Sequence, residues 1–160
     1  MSDPKTTEQV RAMLKAQSYI ADDNIVMAIH LAIQLQKPLL VEGPAGVGKT
    51  DIARAMAHAL ETDLIRLQCY EGLDANTALY EWNYPRQLLA IKMMEASDNH
   101  DTAADELIFT EKYLLKRPLL QAITHERPPV LLIDELDRAD DDFESFLLEL
   151  LSEWQITIPE

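Results

Sequence analysis

Cysteine is nearly absent. Cys69 is the only one in 160 residues, so no internal disulfide can form. That fits a reducing compartment, and Cys69 reads as a small buried apolar residue. Basic residues are also scarce, 14 Lys and Arg against 28 Asp and Glu, for a net charge of −14. This balance argues against non-specific DNA or RNA binding, which needs basic surface, and against docking on anionic lipid. A basic or neutral protein partner is easier to accommodate. No apolar run reaches the ~18–20 residues of a membrane span. The N-terminus has no basic-then-apolar signal pattern, so the expectation is a soluble cytoplasmic protein. His30, His58, His100 and His125 form no cluster at zinc-ligand spacing; His30 and His58 read as packing or surface residues. No nucleophile elbow or cysteine-protease signature occurs. The length suits one domain with a real core.

What the chain does have is Gly43-Pro44-Ala45-Gly46-Val47-Gly48-Lys49-Thr50. The pattern G-x-x-x-x-G-K-T is that of a phosphate-binding P-loop. Glycines let the backbone curl round phosphates without a Cβ in the way. The curl points N–H groups inward as an anion nest, and the following helix adds its positive end. Lys49 is the candidate to reach the β- and γ-phosphates, and the Thr50 hydroxyl the candidate to ligate Mg²⁺. The apolar run Lys37–Glu42 ahead of the loop predicts a buried parallel strand. Ile52, Ala55, Met56, Ala59 and Leu60 recur behind it at helical spacing.

Along the rest of the chain, Val10, Met13 and Leu14 predict a short amphipathic helix over 8–17. Asp22 or Asp23 caps a second helix running to about Gln36. Its apolar content is nearly all-round, so deep burial is expected. Leu64–Cys69 alternates and predicts a strand; residues 71–81 read as loop or short helix. Pro85 opens a helix through Met94. An acidic loop is expected over 96–105, a short strand over 107–110, and a helix over 112–124 with Pro118 as a break or a new start.

Pro129-Val130-Leu131-Leu132-Ile133 predicts a second buried strand, and it ends in Asp134 and Glu135. Open α/β sheets bind ligands at the carboxyl ends of their strands, so both acids are expected to face the P-loop. Asp134 suits Mg²⁺ placement. Glu135 suits polarising a water as general base, which makes Glu135 and Lys49 the candidate catalytic pair. Asp140, Asp141, Asp142 and Glu144 read as helix cap and solvated face. Arg138 reads as a surface salt bridge or a residue near a subunit boundary. A helix carrying Phe143, Phe146, Leu147, Leu150 and Leu151 follows, and Trp154–Ile158 alternates like the first arm of a hairpin.

Gly43–Thr50 and the Asp134-Glu135 pair, roughly 85 residues apart, resemble the Walker A and Walker B motifs of AAA+ ATPases. Asp134-Glu135-Leu136-Asp137-Arg138-Ala139 is similar to the D-E-[IL]-[ND]-R-A block of the MoxR group, and Leu148–Ile158 resembles that group's helix and following hairpin. Arg66–Asp74 and Tyr80–Leu89 look like a narrower branch. It holds the CoxD-type ATPases associated with maturation of carbon monoxide dehydrogenase and related molybdenum hydroxylases. The resemblance runs from about Ile20 to Glu160.

It implies an α/β P-loop NTPase (AAA+) three-layer sandwich with a parallel sheet in the order 5-1-4-3-2. It divides the chain into an N-terminal helical segment, 1–18, and a partial nucleotide-binding core, 19–160. It implies a chaperone or remodelling ATPase with ATP and Mg²⁺ as cofactors, a homo-oligomer with a hexameric ring, and a protein client, a molybdenum hydroxylase. Strand four, the sensor residue, the arginine finger and the lid would lie beyond residue 160. Without strand four, strands one and three are expected to lose their shared neighbour, so that either the chain is a fragment of a longer protein or the sheet closes differently, with weak nucleotide binding and poor hydrolysis. Two other readings stand beside the ATPase: a non-hydrolysing nucleotide-dependent interaction module, and a small-molecule P-loop kinase. The acids at 134 and 135 and the late hairpin favour hydrolysis over the kinase.

Overall fold

Helices begin where the sequence supplies caps. The structure, a computed structural model, describes residues 4, 6–44, 46–95 and 108–154. Helix α1 (Thr7–Ala16) starts with a reciprocal capping box between Thr6 and Gln9. Helix α2 (Asp23–Leu35) is capped by Asp22, whose carboxylate accepts from the Ile25 amide at 2.8 Å. Helix α3 (Lys49–Ala59) follows Gly48 directly. Strand β1 (Leu64–Gln68) leads into the short helix α4 (Ala75–Leu79), capped by Asp74. Strand β2 (Tyr80–Trp82) and helix α5 (Tyr84–Glu95) come next. A 3₁₀ turn, Glu111–Tyr113, precedes strand β3 (Leu114–Lys116) and helix α6 (Pro118–Thr124), with proline in its first turn. Strand β4 (Val130–Asp134) and helix α7 (Asp141–Glu153) complete the order. Asp140 caps α7 at 2.8 Å to the Phe143 amide, and Asp141, Asp142 and Glu144 fill the first turn.

Two small sheets result. β1 and β4 are parallel, with Leu64 opposite Val130 and Gln68 opposite Asp134. β2 and β3 are antiparallel, Tyr80 opposite Lys116 and Trp82 opposite Leu114. Alternation sends Leu67, Leu131 and Ile133 to one face of the parallel pair. There they pack with Leu73, Leu79, Leu119, Phe143, Leu147 and Leu150 from α4, α6, α7 and their connections. Val130 points the other way, into a second cluster built by Val10, Leu14, Val26, Ile29, Ile52, Ala55 and Met56. Helices thus cover both faces of the parallel pair, and α1 packs in the same cluster as α2 and α3.

Several expectations are corrected. Lys37–Glu42 is not a buried strand: the segment is irregular and exposed throughout. No other strand among the described residues pairs with it. Exposure lets water satisfy its backbone groups, whereas burial without a ladder would cost about 1–3 kcal/mol per group. The parallel sheet therefore has two strands here rather than three. α2 is not buried all round either; Val26 and Ile29 are inside, while Met27, Leu31 and Leu35 face solvent. Ile108–Thr110 forms no strand, and the buried Gln87 amide donates to the Ile108 carbonyl at 2.7 Å instead. The helix expected over 112–124 is a 3₁₀ turn, a strand and a helix in succession. Leu114 and Leu115 are taken by pairing with β2, and Pro118 begins the helix. Trp154 caps α7 in the left-handed region rather than starting a hairpin arm. The rest of that arm, and the loop over 96–105, lie outside the described residues.

Candidate functional site

The P-loop backbone takes conformations that only glycine adopts cheaply. Gly46 has φ +82° and Gly48 φ +87°, and an L-residue there pays roughly 1–2 kcal/mol. Gly48 is the residue from which α3 departs, so its left-handed turn sets the loop against the helix N-terminus. Lys49 folds back over the loop: its Nζ donates to the Gly43 carbonyl and, at 3.1 Å, to that of Pro44. Val47 is exposed and Thr50 half-buried on the first turn of α3. Ala45 lies outside the described residues.

The direction of α3 points the two motifs toward one end of the molecule. At its C-terminus, the Leu60 carbonyl accepts from the Arg127 guanidinium at 3.1 Å, and the Thr62 hydroxyl donates to the Pro128 carbonyl at 2.9 Å. Residues 127 and 128 lead into the start of β4. α3 packs against β4 and runs the opposite way. Eleven helical residues and five strand residues both span about 16 Å. An antiparallel course of α3 on β4 over these matched lengths directs Lys49 and Thr50 toward the end that carries Asp134 and Glu135.

Both acids are already engaged. Asp134 Oδ2 accepts from the Arg66 guanidinium at 2.6 Å, and Oδ1 accepts from the Glu135 amide at 3.1 Å. Glu135 pairs with Arg138 at 3.0 Å across a 3₁₀ turn, Leu136–Arg138. Arg138 makes the salt bridge that one of its two sequence readings expected. Glu135 has φ +55° and ψ +44°, a left-handed residue without glycine's freedom. Such a conformation costs of order 1–3 kcal/mol and clusters at functional sites. No feature of Asp-Glu-Leu-Asp-Arg announced it. Arg66 was likewise missed, although alternation in β1 puts Arg66 and Gln68 on the face that carries Asp134.

Beside the acids, Cys69 is fully buried at the end of β1. Burial pushes its thiol up, and the charges of Asp134, Asp137 and Glu135 add to this. Among the described residues no group of three or more His, Cys, Asp or Glu side chains could hold a metal. The metal donors the sequence assigns at this end are the Asp134 carboxylate and the Thr50 hydroxyl. All are oxygen donors, few in number, which fits Mg²⁺ held chiefly by nucleotide phosphates and water. A shallow hollow lined by Asp63, Lys116, Gln121 and His125 lies at the opposite, N-terminal end of the strands. No helix among the described residues is long and apolar enough to cross a membrane.

The AAA ATPase domain family matches residues 31–157. Two curated relatives are similar. The uncharacterized protein SH1500 of Staphylococcus haemolyticus is 25% identical over 127 residues, 79% of this chain and 41% of that protein. The uncharacterized protein SSP1341 of Staphylococcus saprophyticus is 25% identical over 118 residues, 74% of this chain and 37% of that protein. The chain spans about two-fifths of the length of these relatives. No solved structure matches it. A glycine loop at a helix N-terminus, an acid pair at the end of a parallel strand and a match over most of the chain lead to one assignment: this chain belongs to the AAA ATPase domain family.

Proposed function

We propose that the chain binds ATP with Mg²⁺ at Gly43–Thr50 and Asp134 and hydrolyses it through Glu135. The observation that carries this reading is the packing of α3 on β4, with the C-terminal end of the helix tied to the residues that start the strand. Loop amides and the helix dipole receive the phosphates. Lys49, now resting on loop carbonyls, exchanges those neutral partners for phosphate oxygens. Thr50 and Asp134 would hold Mg²⁺, which would supply charge neutralisation on the phosphates. Glu135 orients a water toward the γ-phosphorus and takes its proton as the oxygen attacks. The bond to the β–γ bridging oxygen breaks, leaving ADP and phosphate.

The wider reading is a MoxR-group AAA+ remodelling ATPase, cytoplasmic, acting as a hexameric ring of identical chains on a protein client. Asp134–Ala139 supports the group, and Arg66–Asp74 with Tyr80–Leu89 supports the CoxD-type branch and a molybdenum hydroxylase as client. We propose the core of a three-layer AAA+ sandwich from residue 19 onward, with 1–18 as an N-terminal helical segment. The exposed Lys37–Glu42 segment, which leads directly into the loop, and the engaged Glu135 favour a second reading as well. In that reading the chain is a nucleotide-dependent interaction module that does not turn over.

Mg²⁺-dependent ATP hydrolysis against protein concentration separates the two. An assembling ATPase turns over faster than linearly with concentration. Glu135→Gln abolishes turnover and keeps ATP binding, and Lys49→Ala weakens binding. A binding module shows no turnover and is indifferent to Glu135→Gln. Unchanged affinity in Lys49→Ala removes the P-loop assignment. For the isolated chain the expectation is turnover well below the ~1 s⁻¹ of ordinary enzymes.

A further inference from the structure

β1 presents two polar side chains on the face it shares with Asp134. The Arg66 Nη2 lies 2.6 Å from Asp134 Oδ2 and 2.5 Å from Gln68 Oε1. The Asp134 side chain is 23% exposed and that of Arg66 50%, so the contact sits at the rim of the site. The other carboxylate oxygen holds the Glu135 amide. The carboxylate assigned to the metal is therefore already balanced by a fixed positive charge. A divalent cation brought to the same carboxylate meets a like charge within a few ångströms, where repulsion is felt even in a solvated rim. Gln68 offers a way out. Because Nη2 is shared, Arg66 can release Asp134 and keep the Gln68 acceptor, with no donor left stranded.

Resting on the ATP and Mg²⁺ assignment above, we propose that Arg66 is a positioning residue that occupies Asp134 before loading and yields it to Mg²⁺ with the nucleotide. Gln68 is the acceptor that keeps the released guanidinium. The arrangement raises the Mg²⁺ concentration at which the site closes on nucleotide. It gives the chain a threshold for metal that the P-loop alone does not have.

The test is binding rather than turnover. A fluorescent ATP analogue is titrated by anisotropy at fixed nucleotide across a Mg²⁺ series, with an EDTA reference for each variant. The Mg²⁺ needed for half of the tightening is expected to fall about two- to fivefold in Arg66→Gln, the range open to an ion pair of this exposure. Arg66→Lys is expected in between. Gln68→Ala, which removes the alternative acceptor, moves the threshold the other way. In an Asp134→Asn background Arg66→Gln has no further effect. Circular dichroism checks that each variant is folded. An unchanged or raised threshold in folded Arg66→Gln overturns the proposal, because Arg66 is then a plain structural pair or an aid to the metal. Absence of nucleotide binding by the unmodified chain at any Mg²⁺ removes the ATP assignment and this inference with it. Mg²⁺-tightened binding that ignores Arg66 removes this inference alone.

Discussion

Pro38-Leu39-Leu40-Val41-Glu42 and Pro129-Val130-Leu131-Leu132-Ile133-Asp134 are nearly the same sentence written twice. Each is a proline, an apolar run and an acid, and each leads into one half of the candidate site. The second is strand β4, paired along its length with β1 and packed on α3 and α7's cluster. The first is irregular, with Leu40 71% exposed. Local preference is the same in both, so the difference lies in what is alongside. A strand is stabilised by a ladder and by packing against its pleated faces. β4 has both, and the segment before the P-loop has no ladder among the described residues.

The largest expected effect breaks the ordered half. Phe143 is 2% exposed on the side of the sheet that holds Leu131 and Ile133. Phe143→Ala is expected to cost about 3–5 kcal/mol by chemical denaturation. Leu40→Ala, its counterpart in the other half, is expected to change stability by no more than about 0.5 kcal/mol. A loss above about 2 kcal/mol in Leu40→Ala would mean that the segment is packed in solution and the contrast is false.

Cutting the cap of α7 comes next. Asp140→Ala removes the acceptor of the Phe143 amide and is expected to cost about 1 kcal/mol, read as a shift in denaturation midpoint. Hydrogen exchange sharpens the same comparison without mutation. Amides of Leu131–Ile133 are expected to be protected and those of Leu39–Val41 to exchange as in open chain. Equal protection in both segments would erase the distinction.

The smallest effect is a pH dependence. The Cys69 thiol is raised from its ordinary value of 9.0 by burial and by the neighbouring acids. A raised folded value means that its contribution is fully present below about pH 9 and is lost as pH climbs toward the folded value. The unfolded thiol ionises first. Stability is therefore expected to fall above pH 9, and Cys69→Ala should flatten that fall. An identical alkaline slope in the variant would place the titration elsewhere, Tyr19 being raised as well.

The parts of the fold that local chemistry controls were legible beforehand. Asp22 and Asp140 each accept from the amide three residues on, and Pro118 starts a helix because its missing N–H is not needed there. The P-loop and the acid pair could be read because phosphate chemistry demands those residues in that order. What escaped depends on residues far away in sequence. Leu114–Lys116 became a strand because Tyr80–Trp82 lies beside it, and Lys37–Glu42 stayed open because no strand among the described residues does. Arg66 could have been flagged by its parity with Asp134, but only once the register of β1 on β4 was known.

Glu135 carries a consequence for anyone who selects this protein. Its left-handed backbone is one that glycine adopts without penalty, so replacement by glycine is favoured on backbone grounds by about 1–2 kcal/mol. A library sorted for heat tolerance should drift toward glycine at this position. One sorted for the nucleotide turnover proposed above should refuse it. Where the two populations part company, residue 135 reports which of the two demands the chain has been answering.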